Sequence, residues 1–537
     1  MDFKRNLIKE ILTNPSGIKI VLEEKINNLD CDLTTEDKTQ IELWKRENGE
    51  KIITEVKKGG FNPFNVKADS VFVDLLTDSG TSTTHITQKE IITDWKEHVS
   101  DILTYSYARS PARTTLDLAI KEIFGKQFAF HPTLQGRSAE FLLLTSLINT
   151  GLIPKKSIIL ANRPFDTTKG HICASGNKVI CCTPLTTPER IKKSNSVFLG
   201  DIPLDKLKKI YNGNQDATKV ILITMTDNGG GGQPVSMKNI KETSEFAKQN
   251  GLITWIDACR IFENAFLIKI YENGYENKSL IEIVKEILSY SDVITLSFKK
   301  IYSHSGGGIL LNRNSKLILD KIDQIRKDIK EKTTVFYGNG FDSYCGLTGI
   351  EMIEIVSGLG LAIDENIILD RIAQTYGISK KLTTDYHFPH VGGAHAIYIP
   401  ANQILKNLKN ENCPAEYLQA ILCAANGTRG CGLGNRVYGK WVKKDGDWKL
   451  VNSPEMDSLR YAIPRLTYTS GLIFNGLAPL AIAYDSGLFD NIIFGLEAKD
   501  YNTKGFYHFG GHYALRSKKE FDKIVSQIKE IWNDLIH

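Results

Sequence analysis

The chain has 537 residues, with 67 Lys and Arg against 62 Asp and Glu and a formal charge of +5. This length suits two or three domains, or one enzyme built from a large and a small domain, and the interleaving of bases with acids leaves no stripe of the kind that binds nucleic acid. No apolar run approaches the roughly 20 residues of a membrane span, and the nine cysteines form no CxxC pair at zinc spacing, which predicts reduced, mostly buried thiols.

The opening "MDFKRNLIKEILTNPSG" reads as a short amphipathic helix of mixed charge without the apolar centre of a signal peptide, so a cytoplasmic protein is expected. From about residue 115 to 310, strand-like and helix-like segments alternate. "VILITM", "LITWID" and "DVITLS" are short apolar runs rich in β-branched residues, as expected for strands buried on both faces of a parallel sheet. Between them, "SMKNIKETSEFAKQNG" opens on a serine cap and closes on glycine, and "NKSLIEIVKEILSYSD" has apolar residues at helical spacing. The alternation predicts an α/β sandwich around a mostly parallel sheet.

Open α/β sheets present ligands at the carboxyl ends of their strands, so those ends are read together. Asn228 and four glycines follow the first run; Asp257 ends the second, with Arg260 just beyond; Ser297, Lys299 and Lys300 end the third. Upstream, "PTLQGRSAEF" runs Gly136 and Arg137 into a helix start, where free N–H groups favour a phosphate. A lysine for covalent linkage, a carboxylate for a ring nitrogen, a phosphate seat and a donor for a phenolic oxygen are what pyridoxal phosphate needs. Each alone has a plainer reading, since paired lysines are ordinarily solvated and an aspartate after a strand often caps a helix. The glycines at 306 to 308 are expected to let the backbone approach the cofactor.

The strings "VFVDLLTDSGT", "PTLQGRSAE", "FDTTKGH", "GGQPVSMKNI", "DACRIFENAFLIK", "ENKSLIEIV", "SFKK" and "AIPRLTYT" follow one another from about residue 70 to 510. In that order they resemble the β-eliminating lyases, the pyridoxal phosphate family of tryptophanase and tyrosine phenol-lyase. The resemblance implies the aspartate-aminotransferase-like fold (fold type I), with a large, mostly parallel-sheet domain at 85–345 and a smaller α/β domain from the arm 1–84 and residues 346–537. It also implies a homotetramer acting on a small amino acid, with sites shared across a dimer interface.

By position, Lys300 resembles the family's Schiff-base lysine, and Gln135, Gly136, Arg137, Ser297 and Lys299 its phosphate cradle. Phe165 falls where an aromatic ring stacks on the pyridine, Asn228 and Arg260 where the phenolic oxygen is contacted, and Asp257 where the ring nitrogen is paired. Arg465, with Thr77, matches the clamp on the substrate α-carboxylate, and Tyr107 the acid that protonates the leaving group. The implied reaction has Lys300 remove the α-proton and ends in pyruvate and ammonium. Asp166, His508 and Leu433 stand at specificity positions and favour an indole-like leaving group, because leucine replaces the arginine that holds a phenol.

Several positions depart from the family. Ile301 replaces an aspartate, Gly432 a glutamate, and Tyr105 a glutamate that serves a monovalent cation, leaving Gly80 as the remaining potassium contact and no certain metal site. An N-terminal extension and "RVYGKWVKKDGDWKLVNSPEMD" are additional. The leading expectation is a carbon-carbon lyase acting on L-tryptophan or a related aromatic amino acid. The alternatives are elimination from S-substituted cysteine, tyrosine phenol-lyase activity, β-substitution or transamination on the same cofactor, and a non-catalytic relative.

Overall fold

The computed structural model describes residues 15–79, 110–337, 346–444, 447–499 and 511–536. The N-terminal stretch read as a helix lies outside them up to residue 14, and the first described helix is Pro15–Asn27.

Seven strands form the main sheet: β1 (Phe128–Thr133), β2 (Ile158–Ala161), β3 (Lys178–Cys181), β4 (Thr218–Thr224), β5 (Ile253–Asp257), β6 (Val293–Ser297) and β7 (Gly307–Asn312). Their spatial order is β1-β7-β6-β5-β4-β2-β3. Only β7 is reversed: it pairs antiparallel with β1 and β6, while the β6-β5, β5-β4, β4-β2 and β2-β3 pairs are parallel. The ends of β1, β2, β4, β5 and β6 therefore emerge on one edge.

The pleat explains the near-continuous apolar runs. Val220 and Leu222 point into one core with Trp255 and Leu143, whereas Ile221 and Ile223 point into another with Ile256, Phe266 and Ile287. A strand covered by helices on both faces has no solvent side, so polar alternation disappears. The helices follow their sequence signals: Ser236 caps Met237–Gln249 by accepting from Asn239 N, and Ser279 forms a capping box with Glu282 at the start of Leu280–Ser289.

A second sheet has four short strands, β8 (Val391–Gly392), β9 (Ala396–Pro400), β10 (Cys431–Gly432) and β11 (Ser458–Ala462), in the antiparallel order β10-β11-β9-β8. One face packs on Pro414–Asn426, Ser470–Asp485 and Lys518–Ile536; the other forms a small cluster of Ala396, Tyr398, Cys431, Leu433 and Ala462 that reaches Leu76 and Phe64. The cores divide differently from the expected boundary at 345/346. Ile18, Leu22 and residues from Met352 to Ala373 pack with the main sheet, and the helix Glu365–Tyr386 runs from that core into the second, where Ile378 and Leu382 lie. Its length lets one helix serve both. The inserted segment forms an antiparallel hairpin, Lys440–Lys444 with Asp447–Asn452.

Candidate active site

A cavity of about 390 Å³ opens at the shared strand edge, between the main sheet and the small apolar cluster. Gln135, Gly136, Arg137, Phe165, Asp166, Asp257, Arg260, Ser297, Lys299, Lys300 and Thr77 all line it.

On one side, β1 leads to extended Gln135 (φ −170°) and then to the helix Gly136–Asn149, whose start has no side-chain cap. Ser297, at the end of β6, and Lys299 stand beside it. A Cβ on Gly136 would lie 2.7 Å from Ser297 Cβ, so only glycine lets the helix start sit against β6. An exposed helix N-terminus flanked by a hydroxyl and cations is a seat for a phosphate. Gly307 and Gly308 are packed against the cradle: a Cβ on Gly307 would meet the Gln135 carbonyl carbon at 2.4 Å, and one on Gly308 the Phe130 ring at 2.6 Å. These glycines let β7 lie under the cradle, while Gly306 takes φ +90° to enter it.

Lys300 ends the turn Phe298–Lys300 that follows β6. Its Nζ donates to Thr77 Oγ1 at 2.9 Å and Ser79 Oγ at 2.6 Å and lies 3.4 Å from Asp78 Oδ1. Burial lowers its pKa to about 8, opposed by Asp78 and reinforced by Arg260, Arg460 and Arg465.

Asp257, 2% exposed, accepts from Cys259 N at 3.2 Å, and no salt bridge reaches it among the described residues. Burial raises its pKa. Burial, then repulsion from Asp257, raises Glu140 to about 8; Glu140 accepts from Thr167 Oγ1 at 2.8 Å. A buried carboxyl in the same cavity as a phosphate seat is a fitting partner for a protonated aromatic nitrogen.

Arg260 faces the cavity with both ends of its fork on Asp78, Nε to Oδ2 at 2.7 Å and Nη2 to Oδ1 at 2.8 Å. Asn228 lies behind the wall, its Oδ1 accepting from Tyr398 OH at 2.9 Å and Arg460 Nη1 at 3.2 Å and facing His395 Nε2 at 2.7 Å, while its Nδ2 has no partner among the described residues. Burial, then the Arg260 charge, holds His395 well below the usual imidazole range, so the ring is neutral.

Arg465 is 1% exposed and is not among the described residues lining the cavity. Its Nη1 donates to Asp78 O at 2.7 Å and its Nη2 to Glu263 Oε1. Leu433 is likewise behind the wall, in the apolar cluster whose members Phe64, Leu76 and Cys431 are those that reach the cavity. Tyr107, Gly80, Tyr105 and His508 lie outside the described residues.

Sequence reasoning passed over Asp78, Ser79, Glu140, Thr167, Cys259 and Arg460, all at or against the cavity. Asp78 and Ser79 stand inside "TDSGT", where an acid and a hydroxyl directly after an apolar run were the available signal. Glu140 stands in the second turn of the cradle helix, where an acid reads as a surface residue.

The β-eliminating lyase family model matches residues 74–473. Curated relatives include a tryptophanase of Hyphomonas neptunium, 32% identical over 80% of this chain and 87% of that protein. A tyrosine phenol-lyase of Symbiobacterium sp. is also 32% identical, over 80% of this chain and 87% of its own. A probable β-eliminating lyase of Trichomonas vaginalis is 32% identical over 77% and 84%. Among solved structures, an aromatic aminotransferase from Pyrococcus horikoshii superposes with a TM-score of 0.50 at 13% identity, over 79% of this chain and 98% of that one, a likeness of fold. The fold is thus the aminotransferase-like α/β fold of type I, and the chain belongs to the β-eliminating lyase family.

Proposed function

We propose that this chain is a pyridoxal-phosphate-dependent lyase that eliminates the β-substituent of an amino acid, with L-tryptophan or a related aromatic amino acid as substrate. From tryptophan the products would be indole, pyruvate and ammonia. The observation that carries the reading is the meeting, in one cavity, of a half-buried lysine, a buried carboxyl that forms no salt bridge among the described residues and an uncapped helix start.

When bound, the cofactor supplies an electron sink for the carbon that loses its proton. The chain would do the rest. Gln135, Gly136, Arg137, Ser297 and Lys299 would hold the phosphate, Phe165 would stack on the ring, Asp257 would pair with the ring nitrogen, and Arg260 and Asn228 would polarise the ring oxygen. Lys300 carries the cofactor and takes the α-proton at Nζ, a task for which a pKa of about 8 keeps more neutral amine at physiological pH than an ordinary lysine. Arg465 and Thr77 would receive the α-carboxylate, a fork geometry lysine cannot copy. Tyr107 would protonate the leaving carbon, with Asp166 and His508 around it and Leu433 acting from the apolar cluster behind the wall. Leucine at 433 leaves a phenol without a polar partner, which favours indole. We further propose a homotetramer with Tyr107 shared between subunits, which light scattering tests; potassium is left out, because Tyr105 replaces the carboxylate that would hold it.

A second reading is favoured by the apolar wall of Phe64, Leu76 and Cys431. It suits a thioether as well as an indole, and a thiolate leaves without an acid. Pyruvate release by the cofactor-loaded protein from L-tryptophan, L-tyrosine, S-methylcysteine and L-serine separates the readings. Stoichiometric indole with pyruvate supports the first; pyruvate from S-methylcysteine alone supports the second; none from any refutes both.

A further inference from the structure

Three cations of the site converge on one carboxylate that none of the roles above uses. Asp78 is 1% exposed and takes the full Arg260 fork at 2.7 and 2.8 Å. Its Oδ1 lies 3.4 Å from Lys300 Nζ, its Oδ2 lies 3.4 Å from Arg465 Nη1, and its backbone carbonyl accepts from the same Nη1 at 2.7 Å. The residues on either side, Thr77 and Ser79, supply the two hydroxyls that accept from Lys300.

The segment bearing Asp78 is held by the second sheet and its neighbours, not by the main one. Ala462 N donates to Leu75 O at 2.8 Å, Leu75 N to Arg429 O at 2.8 Å, and Arg460 Nη2 to Leu76 O at 2.9 Å. Lys300 and Arg260, in contrast, hang from the ends of β6 and β5. Asp78 is thus the charge by which one half of the molecule fixes the functional side chains of the other.

We propose that Asp78 is a positioning residue of this site: its carboxylate keeps the Lys300 ammonium and the Arg260 guanidinium side by side, and its backbone carbonyl aims Arg465. This rests on the reading of Lys300 as the cofactor-bearing base. Among the described residues the charges that bear most on Lys300 are Asp78, Arg260, Arg460 and Arg465, one anion against three cations. Without Asp78, three guanidinium groups would face a half-buried ammonium, and loss of the lysine proton would be the ready relief. Asp78 itself stays ionised: although burial opposes the charge, Arg260 and Lys300 hold its carboxyl well below the usual range. Its task is electrostatic and geometric, and it hands over no proton.

The test is the pH dependence of Lys300 acylation in the full-length chain freed of cofactor, read by peptide mass spectrometry. It needs neither cofactor nor substrate, so a failure of the proposed reaction would not disturb it. Asp78→Asn is expected to lower the Lys300 midpoint by about one pH unit or more, a tenfold loss of proton affinity. Asp78→Glu keeps the charge and should return most of that shift. Glu263→Gln, which removes a buried carboxylate from Arg465 without touching Lys300, should leave the midpoint in place. An unmoved midpoint in Asp78→Asn, an equal shift in Glu263→Gln, or Asp78→Glu behaving like Asp78→Asn would each overturn the proposal.

Discussion

The two walls of the cavity are built from different material. The phosphate side rests on long elements: β1, β6 and the 14-residue helix Gly136–Asn149 place Gln135, Gly136, Ser297 and Lys299, and Gly307 closes the packing behind them. The opposite side is assembled from short strands and turns, with Leu76, Thr77 and Ser79 following the two-residue strand Val73–Asp74, Cys431 in the two-residue β10, and Arg460 in the five-residue β11. A cofactor bound by regular elements keeps its place when the sequence drifts, while short segments can change partners without unfolding a core. The departures Gly432 and Leu433 fall just behind the second kind of wall, where a Cβ at Gly432 would come within 2.5 Å of Glu416 Oε1.

The sharpest break comes from the lysine edge. Lys300→Ala should remove covalent cofactor and lower turnover by several powers of ten, as loss of a nucleophile that is also the base does; single-turnover assays check it. Asp257→Ala should follow, with a barrier raised by about 3 kcal/mol, roughly a hundredfold in kcat, and unchanged turnover would dismiss its role. Gly136→Ala forces a Cβ against Ser297 and should weaken cofactor binding about tenfold by shifting the helix start, with Asp257 and Lys300 untouched; equilibrium dialysis measures it.

A pH effect separates the walls further. Glu140 holds a proton in the folded chain up to about pH 8, whereas unfolded it would release one near 4.5. The raised pKa means that the stability it contributes is complete at low pH and is lost as pH rises through that window. Denaturation of the cofactor-free chain from pH 4.5 to 8 should therefore show a downward slope that Glu140→Gln flattens. The smallest effect belongs to the inserted hairpin, where Val451, 54% exposed, should tolerate Val451→Ser within about 0.5 kcal/mol in chemical denaturation.

The same contrast governs what could be read beforehand. β4, β5 and β6 were legible because both faces are buried and the runs are long enough to show it, and the residues at their ends follow from the sheet's geometry. β8 and β10 hold two residues each, too few for any periodicity. Asp78 was hidden for another reason. An acid beside a glycine turn reads as solvated, and only the tertiary meeting of Arg260, Arg465 and Lys300 makes its burial tolerable. The helix Glu365–Tyr386 serves two cores in succession, which no local pattern in the sequence announces.

Lys300, just past the end of β6, is the lysine proposed to carry the cofactor in the cavity that Asp257 lines. Borohydride reduction of the pyridoxal-phosphate-loaded protein, followed by peptide mapping, tests it most directly. The reduced label is expected on Lys300, and none in Lys300→Ala; a label on Lys299 or on any lysine away from this edge would overturn the assignment.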